Sequence, residues 1–241
     1  MNVLVIGGSG YLGTLVLPLL AERHRLRVFD PRPPADPALE YVQGSVCDYA
    51  ALTGAVEGTD AVLYMAMGHY IPVNGDDWGQ IESHSNAFDV SVKGLYLALH
   101  AAHQAGVQHA VYTSSMSVYG DNGLGRNGSD EDTPPDSYSV YGLTKRMGEE
   151  VCRSACHRWE MSVNALRLYM PVSEEQWLAE AACGEPTPWT TSEDTARALL
   201  AALEYRDGFQ AFTISGDYEQ RLLSIAKSKR LLGWEPLARL R

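Results

Sequence analysis

Tyr141 and Lys145 stand four residues apart in YGLTK, and Ser115 follows an apolar run twenty-six residues before that tyrosine. Residues at i and i+4 share a helix face, so the Lys145 ammonium can lie beside the Tyr141 phenol. That pairing suggests proton transfer. A phenol with a pKa of about 10 is a poor base at neutral pH, and bringing it near 7 needs roughly 4 kcal/mol of differential stabilisation of the phenolate. One neighbouring cation, together with a second positive charge brought by a bound group, is the right kind of perturber. Ser115 could then hold a carbinol or carbonyl oxygen while Tyr141 moves its proton. Tyr-x-x-x-Lys also occurs on ordinary solvated helix faces, so its meaning depends on the surrounding elements. Tyr138 has no lysine four residues on and Tyr119 falls in a loop, which leaves Tyr141 as the base.

The element that would bring such a group to this pair lies at the start of the chain, in MNVLVIGGSGYLG. Val3 to Ile6 reads as a strand buried on both faces. Gly7, Gly8, Gly10 and Gly13 then permit a tight turn, close approach of backbone N–H groups to a phosphate, and close helix–strand packing. The helix from Tyr11 to Arg23 directs its positive end at that phosphate, with Tyr11 and Leu12 among the cofactor-binding residues. Asp30 ends a second strand (Leu26 to Phe29), twenty residues after Gly10. A carboxylate there can accept the adenine-ribose hydroxyls and repel a 2′-phosphate, which favours NAD. Arg32 argues the other way, toward NADP, because a guanidinium can pair with that phosphate. Asp48, after a third strand (Glu40 to Gln43), stands either at the adenine edge or as the N-cap of the next helix.

Further strands fit Ala61 to Met65, His109 to Thr113, Val163 to Leu168 and Ala211 to Ile214. Helices fit Ser85 to Ala105, Tyr138 to Trp159, Glu174 to Ala182 and Ser192 to Glu204, and SIAKSKRLLGWEP reads as a helix stopped by Gly233 and Pro236. Alternation of this kind predicts an α/β fold, a Rossmann-type doubly wound parallel sheet, with ligands at the carboxyl edge of the strands. The 241 residues suit a single cofactor-binding domain spanning 1–241, with substrate-side elements at about 169–191 and 216–241.

A net charge of −11 disfavours nucleic-acid and membrane-surface partners. Four cysteines without a CxxC pair suggest a reduced, cytoplasmic protein. No apolar stretch approaches ~18–20 residues, so neither a membrane span nor a leader is expected. His100 and His103 lack carboxylate partners, so no metal site is expected.

GGSGYLG, Asp30, SSMSVYG and YGLTK together resemble the extended short-chain dehydrogenases/reductases, the group of NAD-dependent sugar epimerases, dehydratases and dehydrogenases. The resemblance covers nearly the whole chain. It places Ser115, Tyr141 and Lys145 at catalytic positions and Gly7, Gly10, Gly13, Asp30 and Asp48 at cofactor positions. It also makes Ala66, in Met65-Ala66-Met67-Gly68, a small residue that lets the cofactor approach. It implies a homodimer through the helices from Ser85 and from Tyr138. Ser91 stands where the family often has an asparagine that helps to order the active site.

The second half is short, with about eighteen residues between Pro171 and Trp189 and no Lys or Arg among them. That disfavours a nucleotide diphosphate and resembles the compact layout of uronate dehydrogenases. Glu174, Glu175 and Gln176 stand where those enzymes place a carboxylate-binding arginine, and Met116 and Ser117 replace their Asn-His pair. A small polar alcohol, hemiacetal or carbonyl, sugar-derived and neutral, such as a polyol or aldose, therefore fits better than a uronate. The substrate-side candidates are His69, Met116, Ser117 and Arg167, with Asn74 and Trp78 in the loop after the fourth strand. The resulting expectation is an NAD-dependent oxidoreductase. The alternatives are an epimerase that oxidises its sugar transiently, or a redox-silent NAD(H)-binding protein.

Overall fold

The computed structural model describes residues 1–68, 81–126, 131–183 and 187–239. Its centre is a seven-stranded, wholly parallel sheet. The strands are β1 (Asn2–Ile6), β2 (Arg25–Asp30), β3 (Glu40–Gln43), β4 (Ala61–Tyr64), β5 (His109–Ser115), β6 (Ser162–Leu168) and β9 (Phe209–Ile214). Their order is β3-β2-β1-β4-β5-β6-β9. Two short strands, β7 (Pro171–Val172) and β8 (Thr190–Thr191), pair separately. The order reverses between β1 and β4, the crevice in which doubly wound sheets bind ligands.

Central strands rich in Val, Ile, Leu and Ala are buried on both faces because helices cover each side. On one face, α1 (Tyr11–Ala21) and α7 (Ser192–Glu204) bury Val16, Leu20, Leu199 and Leu203 against Val3, Val5 and Leu63. On the other, α2 (Tyr49–Val56), α4 (Leu95–Gln104) and α5 (Val140–Trp159) close over Leu4, Ile6, Val62 and Ala165.

The helix expected over Ser85 to Ala105 is broken into α3 (Ile81–Phe88), a π-helical turn over Asp89–Gly94, and α4. The cause is local. The Tyr64 hydroxyl donates to the Val90 carbonyl at 2.5 Å, drawing it from the helical ladder. Gly94 lets the helix pass, since a Cβ there would lie 2.5 Å from Val46 Cγ2. Ser91 is buried on this turn. Helix α5 starts two residues later than expected because the Ser139 hydroxyl accepts from the Gly142 N–H and caps it, leaving Tyr138 exposed. The closing helix shrinks to a π-helical turn over Ser228–Leu232, ended by Gly233 at φ 62°. Among the described residues no helix is long and apolar enough to cross a membrane.

Candidate active site

The carboxyl ends of β1, β2, β4, β5 and β6 open onto one cleft of about 780 Å³. Gly7, Gly10, Tyr11, Leu12, Asp30, Ala66, Ser115, Met116, Ser117, Tyr141 and Lys145 all line it. Residues far apart in the sequence thus meet in one cleft.

Gly7 has φ 84°, and its N–H donates to the Phe29 carbonyl at 2.9 Å. A Cβ there would sit 2.4 Å from the Ala66 backbone, so both the turn and the close approach of the strand β4 end require glycine. Gly13 lies outside the cleft and does a packing job: its missing Cβ would fall 1.9 Å from the Gly8 carbonyl oxygen. Helix α1 begins at Gly10 with no side-chain cap and no acid in its first turn. Its first N–H groups are therefore left for an anion.

Asp30 is buried at the rim, its Oδ2 accepting from the Ser9 N–H (3.2 Å) and its Oδ1 from the Arg32 N–H (3.0 Å). These bonds fix the carboxylate and leave lone pairs for ribose hydroxyls. Asp48 needs correction. Its Oδ1 accepts from the Ala51 N–H at 3.1 Å and caps α2, and it does not line the cleft; Ser45 and Val46 do. A loop that ends in a helix start consumes its acid as a cap.

Ser115 ends β5, its Oγ accepting from the Ser117 N–H at 3.1 Å. One helix turn separates Tyr141 from Lys145, whose Nζ lies 5.7 Å from the centroid of the phenol ring. That Nζ donates to the Thr113 carbonyl at 2.6 Å, deep under the cleft floor. Burial draws the Lys145 pKa down to about 8, against the opposing pull of Glu149 one turn further on. Burial likewise pushes the Tyr141 phenol up, opposed by a hydrogen bond with Ser115. The sequence led us to expect a phenol acidified by its lysine. In the protein alone desolvation wins.

The lysine carries a stability consequence. For a cation whose pKa drops on folding from 10.5 to about 8, the unfolded chain binds the proton more tightly. Stability is therefore lost as pH falls from 10.5 toward 8 and stays low below it. The shift corresponds to about 3 kcal/mol, less about 1 for the hydrogen bond to Thr113. Lys145→Met should accordingly raise stability at pH 7 by about 2 kcal/mol, and the gain should shrink between pH 8 and 9.5. Denaturant midpoints check this; a lower midpoint at pH 7 contradicts it.

Arg167 is also corrected as a substrate residue. It is fully buried, outside the cleft, and spent on the interior. Its Nε and Nη2 donate to the two oxygens of Glu149 at 2.9 and 2.8 Å, and its Nη1 to the Tyr119 hydroxyl (2.6 Å) and the Glu131 carbonyl (3.1 Å). The Ser114 hydroxyl completes the Glu149 shell at 2.7 Å. The pairing joins β6 to α5 behind the cleft.

Met116 forms part of the cleft floor, and Ser117 donates its hydroxyl to Asn122 Oδ1 at 2.9 Å. His69, Asn74 and Trp78 lie outside the described residues. Sequence reasoning missed Glu149, though its i+4 spacing from Lys145 was a usable signal. It also missed Asn122, Tyr169 and Met170, which line the cleft through turns that carry no spacing pattern. Tyr11 ties α6 (Glu174–Ala181) to the glycine turn, its hydroxyl donating to Gln176 Oε1 at 3.2 Å. Among the described residues no group of three or more His, Cys, Asp or Glu side chains could hold a metal ion. His100 pairs with the Tyr49 hydroxyl at 2.6 Å, and His103 stacks on Trp159.

Residues 3–215 match the profile of the NAD dependent epimerase/dehydratase family. The chain belongs to that family. Among curated relatives, a 3 beta-hydroxysteroid dehydrogenase/Delta 5→4-isomerase of Mycobacterium tuberculosis (strain CDC 1551 / Oshkosh) is 40% identical over 154 residues, which is 61% of this chain and 41% of the relative. The chain thus spans about two fifths of the length of the curated relatives it first matches. Among solved structures, MoeE5 in complex with UDP-glucose and NAD superposes with a TM-score of 0.80 at 22% identity, over 100% of this chain and 95% of that one. A mutated uronate dehydrogenase gives a TM-score of 0.78 at 21% identity, over 98% and 82%.

The residues of this family member fit its cofactor, NAD. The glycine turn with uncapped N–H groups would hold the pyrophosphate, Asp30 the adenine ribose, and the Ser115, Tyr141 and Lys145 end the nicotinamide ribose and ring.

Proposed function

We propose that the protein is an NAD-dependent oxidoreductase acting on a small uncharged alcohol, hemiacetal or carbonyl, the sugar-derived class being the one the sequence suggests. One observation carries the reading: Ser115, Tyr141 and Lys145 line the same cleft as the glycine turn and Asp30. The bound cofactor would supply a hydride acceptor for the carbinol carbon or, in its reduced form, a hydride donor to a carbonyl. Tyr141 takes the hydroxyl proton, or gives it back, at the substrate oxygen. Ser115 donates a hydrogen bond to the same oxygen and fixes its distance from the phenol. Lys145, anchored by the Thr113 carbonyl, keeps a positive charge on the phenolate side of the equilibrium. The whole chain acts as one cofactor-binding domain, with 169–191 and 216–241 on the substrate side.

The MoeE5 structure, aligned along 95% of its chain, was obtained with UDP-glucose. Brevity of the segment after Pro171 therefore does not by itself set a nucleotide sugar aside. What disfavours a diphosphate is chemistry: no Lys or Arg stands between Pro171 and Trp189, and Arg167 is buried on Glu149. The family's epimerase chemistry gives the second reading, oxidation followed by re-reduction at the other face. Incubation with NAD and a panel of alcohols and sugars separates the two. Net NADH absorbance identifies a dehydrogenase, interconversion without it an epimerase, and cofactor binding with neither rejects both.

We further propose a homodimer through α4 and α5, on which Tyr96 and Met147 are exposed. Light scattering at micromolar concentration should give twice the chain mass; a monomeric mass rejects it.

A further inference from the structure

We infer that Met170 determines specificity, and that the substrate is an uncharged secondary alcohol or ketone with a contiguous apolar flank beside its reacting carbon. The inference rests on the oxidoreductase reading and narrows its substrate class.

Three strands adjacent in the sheet, β4, β5 and β6, each run into a methionine at the carboxyl edge: Met67, Met116 and Met170. All three line the cleft with Ser115 and Tyr141. Because β5 lies between its two neighbours, Met67 and Met170 come from either side of the strand that carries Ser115. Met116 packs into a buried cluster with Val118, Tyr119 and Leu223 and makes a firm floor. Met67 and Met170 are 56% and 51% exposed, so their thioethers are available to a ligand. Methionine supplies an adaptable apolar surface.

Met170 is also held where a methionine is uncomfortable. Its φ is 37°, in the left-handed region that glycine and asparagine enter readily and other side chains resist. The conformation is pinned on both sides: the Met170 carbonyl accepts from the Thr190 N–H at 3.2 Å, and Pro171 opens the pairing of β7 with β8. The strained backbone thus carries the thioether at a position that lines the cleft.

Among the described lining residues at this end, the polar side chains besides Ser115 and Tyr141 are Ser117, Asn122 and Tyr169. Ser117 and Asn122 bond to one another, and the Lys145 ammonium is turned to the Thr113 carbonyl. Among the described lining residues the only other cation is Arg32, at the Asp30 end. A hydroxyl pressed on these thioethers gives up water without gaining a partner, whereas a methylene flank gives up nothing. A fully hydroxylated sugar lacks such a flank. An alicyclic carbinol and a deoxy sugar both possess one.

The test measures kcat/KM with NAD for 4-methylcyclohexanol, 2-deoxy-D-glucose, D-glucose and D-glucuronate, in the wild type, Met170→Asn and Met67→Gln. We expect 4-methylcyclohexanol or 2-deoxy-D-glucose to exceed glucose by about 10–10²-fold, the scale at which an apolar wall discriminates. Whichever of the two is faster names the source of the flank. Met170→Asn should shrink that ratio about tenfold, mainly through KM, with a thermal midpoint unchanged or raised because asparagine tolerates the backbone. Met67→Gln should move it the same way. Preference for glucose or glucuronate, or an unmoved ratio in both variants, overturns the inference and leaves the oxidoreductase reading standing. Calorimetric binding of 4-tert-butylcyclohexanone to the cofactor-free protein gives a second readout. Binding weakened by Met170→Asn, without turnover of any substrate, upholds the apolar wall and rejects the redox reading. Failure of both binding and turnover rejects the two together.

Discussion

Tyr141→Phe is expected to lower kcat/KM by about 10³-fold while leaving NADH affinity within about threefold of wild type. General acid–base groups contribute roughly 10²–10⁴-fold, and this phenol is the one with a hydrogen bond to Ser115 and an ammonium one helix turn on. Lys145 is turned to the Thr113 carbonyl, and Ser115 keeps its proton at any working pH. Phenylalanine retains the ring that packs beside the lysine, so the cleft should keep its shape. The glycine turn and Asp30, which would hold the dinucleotide, sit on other strands and are untouched by the change. Fluorescence titration with NADH and initial rates on one preparation check both halves of the expectation. Retained turnover would remove Tyr141 from the chemistry, and lost cofactor binding would make its role structural.

Arg167→Met should unfold a large part of the protein's margin, by about 3–5 kcal/mol, without touching the cleft. Breaking a buried pair leaves the remaining charge unsolvated, and here Glu149 is 1% exposed. Against a typical total of about 5–15 kcal/mol, such a loss lowers the melting midpoint by roughly 10–15 °C for a chain of this size. The paired replacement Arg167→Met with Glu149→Leu should recover more than half of it, because desolvation of both ions is then avoided. Urea midpoints of the two variants decide the point. Equal loss in both would mean that the guanidinium's bonds to Tyr119 and Glu131, rather than the ion pair, hold β6 to α5.

The two residues illustrate different kinds of information. Tyr141 could be read directly: a phenol, an amine one helix turn on, and a hydroxyl at a strand end constrain one another chemically whatever the fold. The alternation of apolar strands with amphipathic helices, the glycine turn and the acid after the second strand were legible for the same reason. Each is a local rule of backbone sterics or pleat and helix period, and local rules survive without tertiary context. Asp48 could not be settled that way, because an acid before a helix serves equally as a cap or a ligand, and only its 3.1 Å bond to Ala51 chooses.

What remained for the tertiary structure depended on contacts between distant segments. Arg167 follows the same strand rule whether it faces a substrate or Glu149; the packing of α5 on β6 turned it inward. The π-helical turn over Asp89–Gly94 arises from the hydroxyl of Tyr64 on a neighbouring strand, a partner no window of local sequence contains. The direction of the Tyr141 shift was likewise decided by burial, a property of the whole fold. The methionines at three strand ends became one surface only when the sheet order placed those strands side by side. Local periodicity and motif chemistry determined the scaffold and the Tyr141–Lys145 pair on one helix face. Desolvation and long-range packing decided which charges are structural and which side chains line the cleft.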